Sequence, residues 1–517
     1  MPVEPSAGPG RHSSSTPWPF RLVIPRLLLA LVASVLAFAA AAQGLPDLGD
    51  ASAATLSESQ ERTIGNRIMR DLRVDPAFLD DPEIADYIGA LGTRLMAGAD
   101  QPRRDVSYFV VQDEGVNAFA LVGGHVGVYS GLFTLTQTES ELAGVMSHEI
   151  AHILQKHQAR AIHGQSRSQW ASLAALAVAI LASRSGGSQS GQVTEAAVTA
   201  ASALQIQSQL DYTREHEREA DRVGLTLLER AGFDTRGMQS FFERMLRTNR
   251  LNEFKGAPSY LRTHPLTTER IADMQDRIEN PSSRRAMVLS ASRLVPDSLE
   301  YRLVRAKLRA TAGAPSEAVT LFRSILADKT VVRPREDVYG LALALRRARD
   351  FEGAWSTLAP LRQGASHPAF ERLAAQILAD QGRLDEAIEV YRAAMKANTD
   401  ARALLHGYLE LQMQKGRARE VLADLDERLR KSNDDPKLYE LQARAFEATG
   451  RPLSQHRAQA EAQYRRGNLL AAVQQLEVAV KMKGNDFYEV SSAESRLREL
   501  RALLENERSA EKALKIS

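Results

Sequence analysis

The stretch Ser147-His148-Glu149-Ile150-Ala151-His152 decides how the first half of this chain is read. It has the form H-E-x-x-H. Residues at i and i+4 lie one turn apart on one helix face, so the two imidazoles come within reach of a single tetrahedral ion. Glu149 points beside them, toward the position such a site leaves open, where it can take a proton from water. Leu142, Val145, Met146, Ile150, Ile153 and Leu154 flank the motif, so a helix from about Thr138 to Gln158 sets it against a core. Two histidines merely packed on a helix are the plain alternative. The chain has no cysteine, which removes thiolate ligands, disulfides, cysteine nucleophiles and lipid attachment through cysteine. Histidine and carboxylate must hold any metal.

A zinc hydrolase needs a third protein ligand and keeps its fourth position for water. Downstream the chain reads Glu215-His216-Glu217-Arg218-Glu219-Ala220-Asp221. By geometry alone Glu215, His216, Glu217 and Glu219 all qualify, and helix phase favours Glu217. Asp221, one turn later on the same face, can hold a ligating histidine from behind. Without the H-E-x-x-H, this acidic run would read as a solvated face. Between motif and run, Ala171–Ala182 is apolar but too short to span a bilayer, so it reads as a buried helix. A Ser/Gly/Gln-rich loop at 184–192 follows, and helical periodicity resumes from Val193 to Leu228. Upstream, Leu56–Leu72 has helical spacing, Val106–Val111 reads as a strand, and Asn117–Tyr129 with Gly123, Gly124 and Gly127 reads as a second strand or hairpin.

His148-Glu149-Ile150-Ala151-His152 followed by Glu217-Arg218-Glu219-Ala220-Asp221 resembles the M48 family of metallopeptidases. The resemblance implies a zincin-like domain with a small sheet and one Zn2+ per chain. It implies His148, His152 and Glu217 as ligands, Glu149 as general base and Asp221 behind the ligands. A further family element is Thr263-His264-Pro265-Leu266, with Arg270 after it. It implies that His264 sits near the metal, either filling the fourth position at rest or holding the substrate oxyanion. The competing reading places Pro265 in the first turn of a helix with His264 at its cap, which needs no chemistry. The family also keeps a substrate-aligning edge strand where Asn117 and Gly124 fall, although a glycine there can instead mark a bulge.

The two ends of the chain set the context. Arg11, Arg21 and Arg26 precede the apolar run Leu27–Ala39, and Ala40-Ala41-Ala42 follow. This is the pattern of a cleaved secretory signal over residues 1–42, and the run is short for a membrane anchor of about 20 residues. Export to the periplasm, with at most peripheral membrane association, is the expectation. From about residue 283 the chain is nearly all helix formers. Gly313, Arg349, Gly382, Gly416, Gly450 and Gly467 mark turns between helices, with 34 residues from Gly382 to Gly416 and again to Gly450. Five residues after most markers stands an alanine (Ala318, Ala354, Ala387, Ala472), and nine after stands Phe322, Leu358, Tyr391, Leu425 or Leu476. This helix–turn–helix period resembles the tetratricopeptide repeat, whose stacked units form an α-solenoid with a concave binding face.

The whole mature chain resembles periplasmic M48 proteases with carboxy-terminal repeats, and Leu45-Pro46-Asp47-Leu48-Gly49-Asp50 looks like their mature start. That resemblance implies work on outer-membrane β-barrel proteins: helping assembly and degrading unfolded or misassembled chains. It also implies contact of the repeats with the barrel-assembly machinery or its clients. The expected architecture is mainly α, with a peptidase domain at 43–282 and repeats at 283–517. Lys+Arg 66 against Asp+Glu 64 gives a net charge of +2, which asks for no nucleic acid. The rival function is a chaperone or adaptor solenoid whose zinc site is gated or mostly inactive.

Overall fold

The computed structural model of the chain describes residues 58–103, 105–158, 214–251, 259–279, 296–327, 334–364, 366–431, 434–482 and 487–516. The expected signal, the start of the mature chain, the apolar helix at Ala171–Ala182 and the loop at 184–192 lie outside them.

Helices α1 (Glu58–Arg73) and α2 (Pro82–Met96) precede the strands β1 (Ser107–Val111), β2 (Ala118–Leu121) and β3 (His125–Tyr129). The short α3 (Ser130–Leu135) leads into α4 (Glu139–Leu154), which carries the H-E-x-x-H. Asp81 caps α2 from its side chain, with Pro82 in the first turn. Thr138 caps α4 by accepting from the Glu141 amide. The sheet order is β1-β3-β2, with β1 parallel and β2 antiparallel to β3. The β2–β3 hairpin turns through Gly123 and Gly124, both at positive φ, where a Cβ would be strained. Every residue of β3 is buried, as a strand covered on both faces requires. Ile68, Met69 and Leu72 of α1 pack with Phe109, Val111 and Tyr129 on one face. Val110, Val126 and Val128 join α2 and α4 in the main core on the other. β2 has β3 on one side only among the described residues.

After the undescribed segment come α5 (Arg214–Arg230), α6 (Arg236–Leu251), α7 (Ser259–Thr263) and α8 (Thr268–Glu279). α5 lies against α4 so closely that a Cβ on Gly224 would meet the His148 backbone at 3.1 Å. Two expectations are corrected here. The motif helix ends at Leu154 rather than Gln158, because Lys156 turns the chain at φ 50°. Pro265 is not in a first helical turn: His264 and Pro265 join α7 to α8, which starts at Thr268.

The remaining helices pair as hairpins: α9 (Leu299–Thr311) with α10 (Pro315–Ala327), α11 (Arg335–Arg347) with α12 (Phe351–Leu358), α13 (Pro368–Asp380) with α14 (Leu384–Ala397), α15 (Arg402–Gln414) with α16 (Ala418–Lys431), α17 (Pro436–Ala448) with α18 (Pro452–Arg465), and α19 (Leu469–Val480) with the long α20 (Phe487–Ile516). All six sequence markers have positive φ, Arg349 among them at 62°. After five of them the next amide bonds back five residues along the helix, as Arg417 N–H does to the Gln412 carbonyl. This is the Schellman closure that favours glycine. The alanines and larger apolar residues of the pattern are all buried between helices.

The hairpins are joined to the first part of the chain by a seam. Ser298, the cap of α9, donates to Glu139 at the start of α4, and Tyr301 donates to Thr136. Tyr301, Val304 and Leu308 belong to the same core as α2 and α4. Along α2, Lys307 meets Asp81 and Glu83 at 2.6 and 2.5 Å, Arg372 meets Glu83 at 3.0 Å, and Arg402 meets Asp86 at 2.6 Å. The first helices of three hairpins (α9, α13 and α15) therefore all touch the end or side of α2.

Candidate metal centre

Helical spacing does the first part of the assembly. His148 and His152 project from one face of α4, and their Nε2 atoms stand 3.0 Å apart. α5 brings Glu217 across from them, its carboxylate 3.4 Å from each Nε2. The α7–α8 junction adds His264, whose Nδ1 is 3.0 Å from Glu217 Oε1 and 3.4 Å from His148 Nε2. All four side chains are buried. Two donors at roughly 2.1 Å from one tetrahedral ion stand about 3.4 Å apart, so five donor separations of 3.0 to 3.4 Å fit a shared cation.

The four downstream candidates separate by position. Glu215 is exposed, Glu217 enters the cluster, and His216 and Glu219 turn to His157 instead. Asp221 Oδ1 is 3.0 Å from His148 Nδ1. Arg270 binds behind it: its Nε and Nη2 donate to Asp221 at 2.7 and 2.8 Å, and Nη1 lies 2.8 Å from Glu217. One guanidinium thus orients both carboxylates, a role the sequence signalled only by its place six residues after His264. Tyr260 stacks on the His264 ring at 4.8 Å.

Glu149 is buried, and neither of its carboxylate oxygens makes a hydrogen bond among the described residues. His264 Nε2 stands 3.4 Å from one of them. Burial raises the Glu149 carboxyl above its ordinary value, and the neighbouring His264 and His148 partly oppose this. Burial would also lower the His148 ring, but Asp221 and Glu217 more than reverse it, to about 9. The His152 ring is held well below its ordinary value by burial and by neighbouring histidines, despite Glu217. Burial disfavours the Glu217 carboxylate, yet the surrounding histidines hold its carboxyl well below the usual range. Asp221 is likewise lowered against burial by Arg270 and His148. Arg270 touches two of the three buried carboxyl groups here, Glu217 and Asp221, and leaves Glu149 without an arginine partner among the described residues.

The remaining expected residues sit beside β2. Asn117 is buried, and its carbonyl accepts from the Tyr129 amide. Gly124 lies in the β2–β3 turn, where its carbonyl accepts from Ser107. No helix among the described residues is long and apolar enough to cross a membrane.

Residues 82–278 match the model of peptidase family M48. The chain is 31% identical to the beta-barrel assembly-enhancing protease of Escherichia coli strain K12, over 94% of this chain and 98% of that one. It is 37% identical to a putative beta-barrel assembly-enhancing protease of Vibrio cholerae, over 65% of this chain and 68% of that one. With the metalloprotease YcaL of Escherichia coli the identity is 29%, over 44% and 83%.

Proposed function

The chain belongs to peptidase family M48 and is a metalloprotease; from that premise we propose that it is a periplasmic zinc endopeptidase, with one Zn2+ per chain, acting on unfolded or misassembled outer-membrane proteins. The printed names of two of its relatives, those of Escherichia coli and Vibrio cholerae, support the substrate class. Residues 1–42 would be a signal removed on export, 43–282 the peptidase, and 283–517 tetratricopeptide repeats that engage those clients or the barrel-assembly machinery.

One observation carries the zinc reading: the donors of His148, His152, Glu217 and His264 lie within 4.8 Å of one another in a buried cluster. His148, His152 and Glu217 would hold the ion. When bound there, zinc supplies a Lewis acid that brings the pKa of a coordinated water down to about 7. Glu149, its oxygens free of hydrogen bonds among the described residues, takes the proton of the attacking water and passes it to the departing amine. Asp221, fixed by Arg270, keeps the His148 ring in place. The single-sided strand β2 runs past Glu149 and offers backbone pairing to an extended peptide, which selects shape more than sequence; Asn117 and Gly124 flank that strand. Glu149→Gln should abolish cleavage of denatured casein while zinc content stays at one per chain. Cleavage at the wild-type rate would sink the proposal.

A second reading has a specific observation behind it. His264 Nδ1 stands at the same separation from Glu217 and His148 as the other donors do, which suits a fourth ligand that closes the site at rest. His264→Ala should then raise casein cleavage several-fold. A fall in cleavage would assign His264 to the oxyanion instead.

A further inference from the structure

His157 has no part in the site as described so far, yet it is fully buried beside it. On an uninterrupted helix, a residue five positions after His152 would be rotated about 140° away from it. The chain does not continue that way. α4 stops at Leu154, and Lys156 adopts φ 50°, a conformation uncommon for residues with a Cβ. The turn returns the His157 ring onto His152, where the two Nδ1 atoms are 2.9 Å apart. On its far side, His157 Nε2 is 3.1 Å from Glu219 Oε2. Its face lies on the His216 ring, with centroids 4.4 Å apart and planes 19° from parallel. His216 and Glu219 are three apart on α5, the helix that also brings in Glu217.

One order of donors and acceptors fits these contacts with every ring neutral. His152 Nε2 faces His148 and Glu217, so a metal there takes the lone pair of Nε2. The neutral ring then carries its proton on Nδ1 and donates to His157 Nδ1. His157, accepting at Nδ1, carries its own proton on Nε2 and donates to Glu219. His148 is served differently, by Asp221 directly. A ligating histidine oriented through its second nitrogen by a carboxylate is a general device; here one of the two is oriented through an interposed histidine.

We propose that His157, held by Glu219 and His216, is a positioning residue that fixes His152 as the Nδ1–H tautomer with Nε2 aimed at the metal. This rests on the metal reading above. The test is zinc affinity, measured by competition of apo protein with a chromophoric chelator, together with the visible spectrum of the Co2+ form. His157→Phe keeps the ring but removes the acceptor, and should weaken zinc binding by about 10–100-fold and alter the tetrahedral Co2+ bands. His157→Asn restores an acceptor and should recover most of the affinity. Glu219→Ala should weaken zinc by a smaller factor in the same direction, with unchanged melting of the apo protein, and stands in if His157→Phe does not fold. Wild-type affinity and spectrum in both His157→Phe and Glu219→Ala would overturn the relay alone. A wild-type protein that binds no zinc would overturn the metal reading as well.

Discussion

Arg270 is the residue on which most of the centre's geometry turns. It is almost fully buried, and its guanidinium spans Asp221 and Glu217 while also donating to the Pro265 carbonyl. Removing one partner from such a set strands buried charge, which costs about 3–5 kcal/mol. Arg270→Ala should lower the stability of the apo protein by that order, read by denaturant unfolding. Arg270→Lys should recover little of the loss, because an ammonium lacks the planar fork that reaches both carboxylates. A loss below about 1 kcal/mol would mean that Arg270 is not what holds the pair. At this scale the sequence is legible wherever spacing is local. His148 and His152 share a face by helical period alone, and Asp221 follows Glu217 by one turn. Arg270 and His157 were not legible as partners. Each reaches the site through an irregular turn, at His264-Pro265 and at Lys156, and hydrophobic periodicity carries no information about such turns.

Among the elements, the helical hairpins show how a single backbone angle can be written in a sequence. A chain that closes a helix with a left-handed residue selects glycine there, so the turn positions repeat as a spacing of glycines. Arg349 occupies that place exposed and at φ 62°. Its left-handed conformation costs about 1–2 kcal/mol, and glycine would give back roughly 0.5–1 kcal/mol in chain entropy. Arg349→Gly should therefore stabilise the hairpin of α11 and α12 by about 0.5–1 kcal/mol. Slower amide exchange in those two helices is the readout, and faster exchange would show that the arginine side chain contributes more than the strain. The β2–β3 hairpin was legible for the same reason, through Gly123 and Gly124. The parallel seat of β1 against β3 was not, since pairing across the sheet is a non-local choice.

For the molecule as a whole, composition distinguishes a peptidase half from a helical half but not how they meet. The seam draws on charges more than two hundred residues apart, Asp81 and Glu83 with Lys307 and Arg372, and no local pattern announces it. Burial pushes the Asp81 carboxyl up, but Lys307 and Arg372 push it further down, leaving it below its ordinary value. A depressed carboxylate contributes fully above its unfolded value of about 3.9, and the contribution disappears as pH falls through the lower folded value. Amide exchange in α2 should therefore accelerate as pH is taken from about 5 to about 3, after correction for the intrinsic rate. Asp81→Asn, which keeps a capping oxygen, should flatten that dependence; an equally steep response in the variant would remove Asp81 as its source. The same seam has a thermodynamic corollary. α2 already occupies the wall formed by α9, α13 and α15. A ligand that competes for that wall is linked to the peptidase by a coupling free energy, which must be reciprocal. Whatever tightens α2 onto the helices weakens the competitor by the same factor, and a captured competitor loosens α2, a helix that packs directly on the one bearing His148.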